Sequence, residues 1–562
     1  MDNLSQTTNK RRDAVESLTM QPTMQPTMHK LRFSFLLLIL FNTSVSLTST
    51  GTDLQADQAA TGERPKIDPR GIQGSLVLAG TPMPVDTFQQ FLRRAGKQVV
   101  LVQLGSEPDA VEAVQRFLAT WQDSESAQLT ILHLNNEATH DALAADAISK
   151  ASAVWLAGND STAISTHRDL GEAIESVVQR NGVVGCAGNL ATFVGSRALS
   201  ELSLQDTSVE KQSTLQLLPD SVITATSLDS ATINLVKQTT DREPNLVGYA
   251  IGANAAVIVQ GRRLRTIGPG KVQVYLAATQ DGVNDSIELS KQQIGDLTAL
   301  RRAARDPFPA EQPQPPIVEN GTLIAIGGDG MPAGIIDRFV ELAGGKESSI
   351  IVLPTAMPDP IRKQNGMANE FRKAGAGQVT VLSQRSLSQV ESAESLNAFR
   401  EATGIWFGGG RQWRFVDAYQ DTKVEPLMHD VLKRGGVIMG SSAGASIQAE
   451  YLARGNPLGN TDVMAAGYER GLGFLPGVAI DQHFTSRKRF SDMTKLVARY
   501  PQLLGIGIDG GTAIIVQGNR AEVVGKGSVH FYDSRKVPAP GEVDYESVKA
   551  GSAYNLESRQ PE

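Results

Sequence analysis

A single cysteine, Cys186, stands in 562 residues, so neither an intramolecular disulfide framework nor a multi-cysteine metal site is available. Stability has to come from packing. Positive charge is not in excess: 53 Lys and Arg against 60 Asp and Glu leave a net charge of −7, which offers no general attraction to nucleic acid or anionic lipid. Long apolar runs are scarce, and the strongest, Phe33 to Phe41, falls well short of the ~20 residues needed to cross a bilayer. Histidine is rare too, with 7 in the chain and none between 168 and 428. Any chemistry that needs an imidazole base has few places to be.

What is present belongs to a large globular protein. The chain has 41% hydrophobic and 20% charged residues and 53 glycines, and at roughly 100–200 residues per domain its length predicts two to four folded units. Met28 to Arg32 is basic, Phe33 to Phe41 apolar and Ser44-Val45-Ser46 a small-x-small pattern, so residues 1–50 are expected to be an unstructured extension followed by a secretory signal. Translation is expected to begin at Met20, Met24 or Met28. The product is then exported, periplasmic or extracellular, with no stable membrane insertion after cleavage.

Residues 51–72 read as a polar linker. The prolines 307, 309, 313, 315 and 316 mark a second, over 301–320, because such a run cannot continue a helix or a central strand. The organisation predicted is a domain over 73–300, a second over 321–540 and a tail over 541–562. The two halves resemble each other. Val154 to Gly158 aligns with Ile405 to Gly409, Gly182-Val183-Val184 with Gly436-Val437-Ile438, and Gly248 to Gly261 with Gly505 to Gly518. The offset stays between 251 and 257, so we expect an internal duplication.

Short β-branched runs alternate with helical periodicity in each half. In the second, Thr322 to Ile326, Ser349 to Leu353, Val379 to Leu382, Gly404 to Phe407 and Val437 to Met439 predict buried strands, and Ala333 to Ala343 and Glu425 to Arg434 predict helices. This pattern predicts an α/β fold, a mostly parallel sheet with helices on both faces, in which ligands bind beyond the carboxyl ends of the strands.

At one such end, Val437-Ile438-Met439 runs into Gly440-Ser441-Ser442-Ala443-Gly444 and a helix expected over Ala445 to Arg454. Strand, G-x-S-x-G turn and helix form a nucleophile elbow with Ser442 at its tip. A serine needs a base. His429, in a helix, and His530, in an alternating strand, are expected at the surface, whereas His483 lies in the polar Asp481-Gln482-His483-Phe484 cluster before Arg487-Lys488-Arg489.

Five motifs in order, Gly408-Gly409-Gly410-Arg411-Gln412, Gly440 to Ala445, Gly471 to Gly477, Asp481 to Phe484 and Gly505 to Asp509, resemble the cyanophycinases of serine peptidase family S51, which also holds dipeptidase E-like enzymes. The resemblance covers about residues 320 to 535. It implies two tandem flavodoxin-like (class I glutamine amidotransferase-like) domains, the first a degenerate copy, with no cofactor and no metal. It also implies hydrolysis of β-aspartyl or related peptides, with Ser442 as nucleophile and His483 as base. Gln412, Gln482, Arg487 and Arg489 would bind substrate, with Asp481 beside them, and the N–H groups of Ala443 and of Gly409-Gly410 would hold the oxyanion.

The chain departs from the family pattern where it matters. The family's glutamate falls on Gly510, its third pocket arginine on Asp492, and an acidic residue on Arg411. An orienting acid has to come from elsewhere; Asp481 or Asp462 is favoured, and Asp509 less so because neighbours on an extended segment face opposite sides. Gly510→Glu is expected to raise kcat. The alternative reading is a duplicated binding protein that has lost turnover. In the first half, Gly185-Cys186-Ala187-Gly188 falls near the elbow position, with no histidine after it in that domain. That half is expected to be a non-catalytic partner in an intramolecular pseudo-dimer, with Cys186 a small buried core residue or, less favoured, a thiolate nucleophile.

Overall fold

A computed structural model describes residues 66–105, 108–121, 128–134, 141–158, 168–199, 214–226, 228–278, 284–289, 294–306, 308, 314–361 and 366–562. The signal segment 28–46 and prolines 307, 309 and 313 lie outside them. Among the described residues no helix is long and apolar enough to cross a membrane.

The chain builds mixed α/β sheets, two to each half. In spatial order the first large sheet runs Gln128–Leu134, Gln98–Leu104, Ala153–Gly158, Val183–Ala187, Ser75–Ala79, Ala256–Gln260, Arg263–Ile267, Ile294–Asp296. The second runs Gln378–Val381, Ser349–Leu353, Gly404–Phe407, Val437–Ser441, Val318–Ile326, Thr512–Gly518, Arg520–Gly525, Ala553–Asn555 and Gln560–Pro561. In each the first five strands are parallel and the next is antiparallel. The smaller sheets repeat one another as well. Gly195–Arg197, Leu218–Thr224, Val247–Ile251, Val272–Ala278 and Asn284–Leu289 match Ala449–Tyr451, Leu475–Gln482, Leu504–Ile508, Ser528–Asp533 and Glu546–Lys549, three parallel strands and then two antiparallel ones in both.

The five strands expected in the second half all form, because each carries apolar residues on both faces. Ile350 and Val352 pack with Phe339 and Trp406 on one side, while Ile351 and Leu353 pack with Phe407, Met428 and Val431 on the other. Successive side chains of a strand point to opposite faces, so an unbroken apolar run is buried twice. The helices Ile335–Leu342 and Val424–Lys433 supply those two coverings.

Three sequence expectations are corrected. The helix expected over Ala445 to Arg454 is only one turn, Ala443–Ser446, after which Ala449–Tyr451 joins the smaller sheet beside Leu475–Gln482. Nearly every side chain there is buried, so pairing with a neighbouring strand outweighs helix propensity. Residues 541–562 are no tail: their strands extend both sheets, and Tyr554 stacks on Phe531 with ring centroids 3.7 Å apart. The segment 301–320 begins inside the helix Leu297–Arg305, whose Arg301 and Arg302 are buried, and ends inside strand Val318–Ile326.

Residues 66–562 form one compact unit, and an ionic cluster joins its halves. Arg262 donates to Asp296 of its own half at 2.7 Å and to Asp417 of the other at 2.6 Å, and Tyr468 donates to Asp417 at 2.5 Å. Gly467 sits so close to the helix Leu297–Arg305 that a Cβ there would lie 1.9 Å from the Ala299 carbonyl oxygen.

Cys186 lies within Val183–Ala187, paired in register with Leu78 and Leu156 and fully buried. Burial pushes its thiol well above the ordinary cysteine range. This is the core setting, not that of a reactive thiolate. The thiol is expected to stay silent toward a disulfide-exchange reagent in the native protein and to react in full only in denaturant; rapid native-state reaction would contradict the burial.

Candidate active site

The carboxyl end of Val437–Ser441 lies between Gly404–Phe407 and Val318–Ile326, in the middle of the large sheet. The turn that follows is tight. Ser442 takes φ +56° and ψ −116°, a conformation rarely tolerated by a residue with a side chain. A Cβ on Gly440 would lie 2.1 Å from the Gly444 carbonyl oxygen, and one on Gly444 2.0 Å from that of Phe407, so both glycines are required. The Ser442 N–H donates to the Ile326 carbonyl at 2.9 Å, which ties the strained residue to the neighbouring strand.

Its hydroxyl is 2.9 Å from His483 Nε2. His483 stands one residue beyond strand Leu475–Gln482, buried, with φ +52°, and its N–H donates to the Gly327 carbonyl at 2.7 Å. Gly328 forms the floor under the ring, since a Cβ there would come within 2.2 Å of it.

On the far side of the ring, Nδ1 lies 2.8 Å from Oδ1 of Asp329. The alignment of the two groups falls short of a hydrogen bond, so the contact is a close electrostatic one. His483 holds the Asp329 carboxyl below the usual carboxylate range, and Ser486 and Arg487 add to the effect. Asp329 was not among the sequence candidates. It lies 113 residues before the serine in chain order, and its one local signal is the Gly327-Gly328-Asp329-Gly330 turn at the carboxyl end of Val318–Ile326.

None of the three carboxylates considered from sequence reaches Nδ1. Asp481 is fully buried between two guanidiniums, 3.0 Å from Arg454 Nε and 2.5 Å from Arg489 Nη1. Its two-residue spacing from His483 fails because the chain leaves the strand at His483 with a left-handed residue, which turns that side chain away from the strand alternation. Asp462 accepts from the Asn456 side chain. Asp509 accepts from the N–H groups of Thr485 and Ser528 and stands 3.4 Å from His530. Burial works to raise its carboxyl, but these hydrogen bonds outweigh that and hold it at about 2. His530 is corrected from a surface to a buried position, where Nδ1 meets the Ser547 hydroxyl at 2.8 Å; His429 is partly buried against the Leu472 carbonyl.

A cavity of about 280 Å³ opens beside Ser442, bounded by Gly410, Arg411, Gln412, Gln482, Arg487 and Arg489, with Arg454 and Asn460 behind. It therefore gathers all four side chains expected to bind substrate. Gln412 is fixed by a 2.7 Å hydrogen bond to the Ala453 carbonyl, and Gln482 Oε1 is buried with no partner among the described residues. Arg411 is held by the carbonyls of Asn456 and Gly459, and Asp492 pairs with Arg454 at 2.7 Å. Arg454 was missed from sequence. It lay in the segment expected to be helical, whereas at φ +61° it turns inward on Asp481. Gly409 lies alongside the serine, a Cβ there falling 3.5 Å from that of Ser442, and Gly410 adopts φ +143°. The N–H groups of Gly409, Gly410 and Ala443 donate to no carbonyl among the described residues. The corresponding strand ends of the first half line a cavity of about 270 Å³, walled by Thr81, Glu112, Arg116 and Trp155, with no Ser, Cys or His among the described residues that line it.

Residues 323–524 match the profile of peptidase family S51. The chain is 30% identical over 243 residues to the cyanophycinase of Geminocystis herdmanii, covering 40% of this chain and 89% of that relative. It is 31% identical over 242 residues to the cyanophycinase of Synechococcus elongatus, covering 42% and 75%. Among solved structures, a peptidase from an acI-B1 Actinobacterium is similar with 20% identity and a TM-score of 0.33, covering 43% of this chain and 98% of that one. With most of a cyanophycinase's length spanned at this identity, the chain belongs to peptidase family S51.

Proposed function

We propose that the chain is an exported serine peptidase of cyanophycinase type that hydrolyses β-aspartyl or related peptides. The observation that carries the reading is the 2.9 Å contact between Ser442 Oγ and His483 Nε2, which is already within proton-transfer distance. His483 takes the hydroxyl proton as Oγ attacks the scissile carbonyl, then returns it to the leaving amine. Water repeats the sequence to release the acyl group. The N–H groups of Gly409, Gly410 and Ala443, which donate to no carbonyl among the described residues, would be free to hold the carbonyl oxygen as it gains charge.

The cavity wall holds Arg411, Arg454, Arg487 and Arg489, with Asp481 and Asp492 each pairing with guanidiniums. This excess of positive charge favours a carboxylate next to the scissile bond, as a β-aspartyl unit provides. Export rests on the basic, apolar and small-residue succession of residues 28–46. The matching strand orders and the Arg262–Asp417–Tyr468 cluster support the first half as a degenerate copy, packed as an internal partner without turnover.

Gly510 favoured a binding protein without catalysis; the Asp329 carboxylate beside His483 supports the hydrolase instead. An active-site-directed fluorophosphonate is expected to modify the protein once, at Ser442, as read by peptide mapping. Failure of the native protein to react overturns the reading.

A further inference from the structure

Position 510 and position 329 face one another. A Cβ built on Gly510 would lie 2.7 Å from Asp329 Oδ2, 2.8 Å from its Cβ and 3.2 Å from its Cγ. These are the three nearest atoms, all from one side chain. The backbone at Gly510 is outside the left-handed region, so its conformation admits any residue, and crowding by Asp329 is what excludes a side chain. Asp329 itself takes φ +54°, where a side chain is disfavoured, and is held there by a 3.2 Å hydrogen bond from Ser486 Oγ and by His483. The loop carrying it is pinned on three sides: Gly327 N–H to the Thr512 carbonyl, Gly511 N–H to that of Gly328, and His483 N–H to that of Gly327.

We propose that the orienting carboxylate of this site has changed places, with Asp329 positioning His483 from the opposite loop and Gly510 being the residue whose missing side chain makes room for it. The inference rests on the Ser442–His483 reading. It assigns Asp329 as a positioning residue that acts through the imidazole, holding the tautomer that leaves Nε2 free to accept the serine proton. It also reverses the expectation that Gly510→Glu raises turnover: with Asp329 in place the new side chain has nowhere to go, and it displaces the carboxylate already there.

The test uses the full chain and a fluorophosphonate, with the maximal rate of Ser442 modification and the half-saturating concentration measured separately. Asp329→Ala and Asp329→Asn are expected to lower the maximal rate by roughly 10²-fold or more, with little change in half-saturation, because the loss lies in proton transfer and not in binding. Gly510→Glu alone is also expected to lower it. Asp329→Gly combined with Gly510→Glu removes all three obstructing atoms and is expected to recover at least ten-fold over Asp329→Gly alone. A residue serving only the fold would show no such rescue.

Asp329→Ala within about three-fold of the native rate overturns the proposal, as does a double variant no faster than Asp329→Gly. If the native protein itself fails to react, the Ser442–His483 reading falls and takes this inference with it. A reactive native protein indifferent to position 329 sinks the exchange alone.

Discussion

Replacing Ser442 with alanine is expected to lower kcat for peptide hydrolysis by roughly 10⁴-fold to 10⁶-fold, leaving only what the oxyanion donors and substrate binding provide. The prediction isolates chemistry from folding. Ser442 already occupies φ +56°, and alanine meets the same backbone penalty there, so the change removes one oxygen and no packing. Among the described residues the serine hydroxyl's side-chain partner is His483. Kinetics on a β-aspartyl dipeptide, together with an unchanged thermal unfolding midpoint, checks both halves of the expectation. Retained turnover in Ser442→Ala would remove the serine from the reaction.

The second large effect is on stability, and it concerns the residue once favoured as the acid. Asp481 is fully buried and meets Arg454 and Arg489, which are 4% and 5% exposed. Asp481→Ala would leave two buried guanidiniums facing each other without their shared anion, and removing one partner of a buried ion pair costs about 3–5 kcal/mol. Denaturant unfolding should show a midpoint shift of that size. The variant also loses activity, because Arg454 and Arg489 line the cavity beside Ser442. If Asp481→Ala unfolds at the native midpoint yet lacks turnover, Asp481 acts in the chemistry and the structural account of it is wrong.

Both Asp481 and Asp329 are carboxylates near His483, but one is spent on guanidiniums inside the cavity wall and the other is half exposed beside the imidazole. Chain distance points the wrong way. Asp481 lies two residues from His483 and does not touch it, whereas Asp329 lies 154 residues away and does.

The sequence by itself determined the alternation of buried strands and covering helices, since runs such as Ser349 to Leu353 and Gly404 to Phe407 bury both faces and leave no other element open to them. It singled out Ser442 by the small-residue turn after an apolar strand and His483 by its polar cluster and family motif, and the fold brings the two to 2.9 Å. It also picked out the cavity's Gln412, Gln482, Arg487 and Arg489. Tertiary structure alone decided that Ala449–Tyr451 is a strand, that the residues after 541 close the sheets, and that Arg454 turns inward. In each case a neighbouring strand or a buried charge outweighs local propensity. The identity of the histidine's partner belongs to this second group. A side chain's neighbours across a sheet are set by which strand ends meet, and the end of Val318–Ile326 is brought against the segment after Leu504–Ile508 by pairings that no local pattern records. The glycine that looked like a lost acid is, in space, the room that another acid occupies.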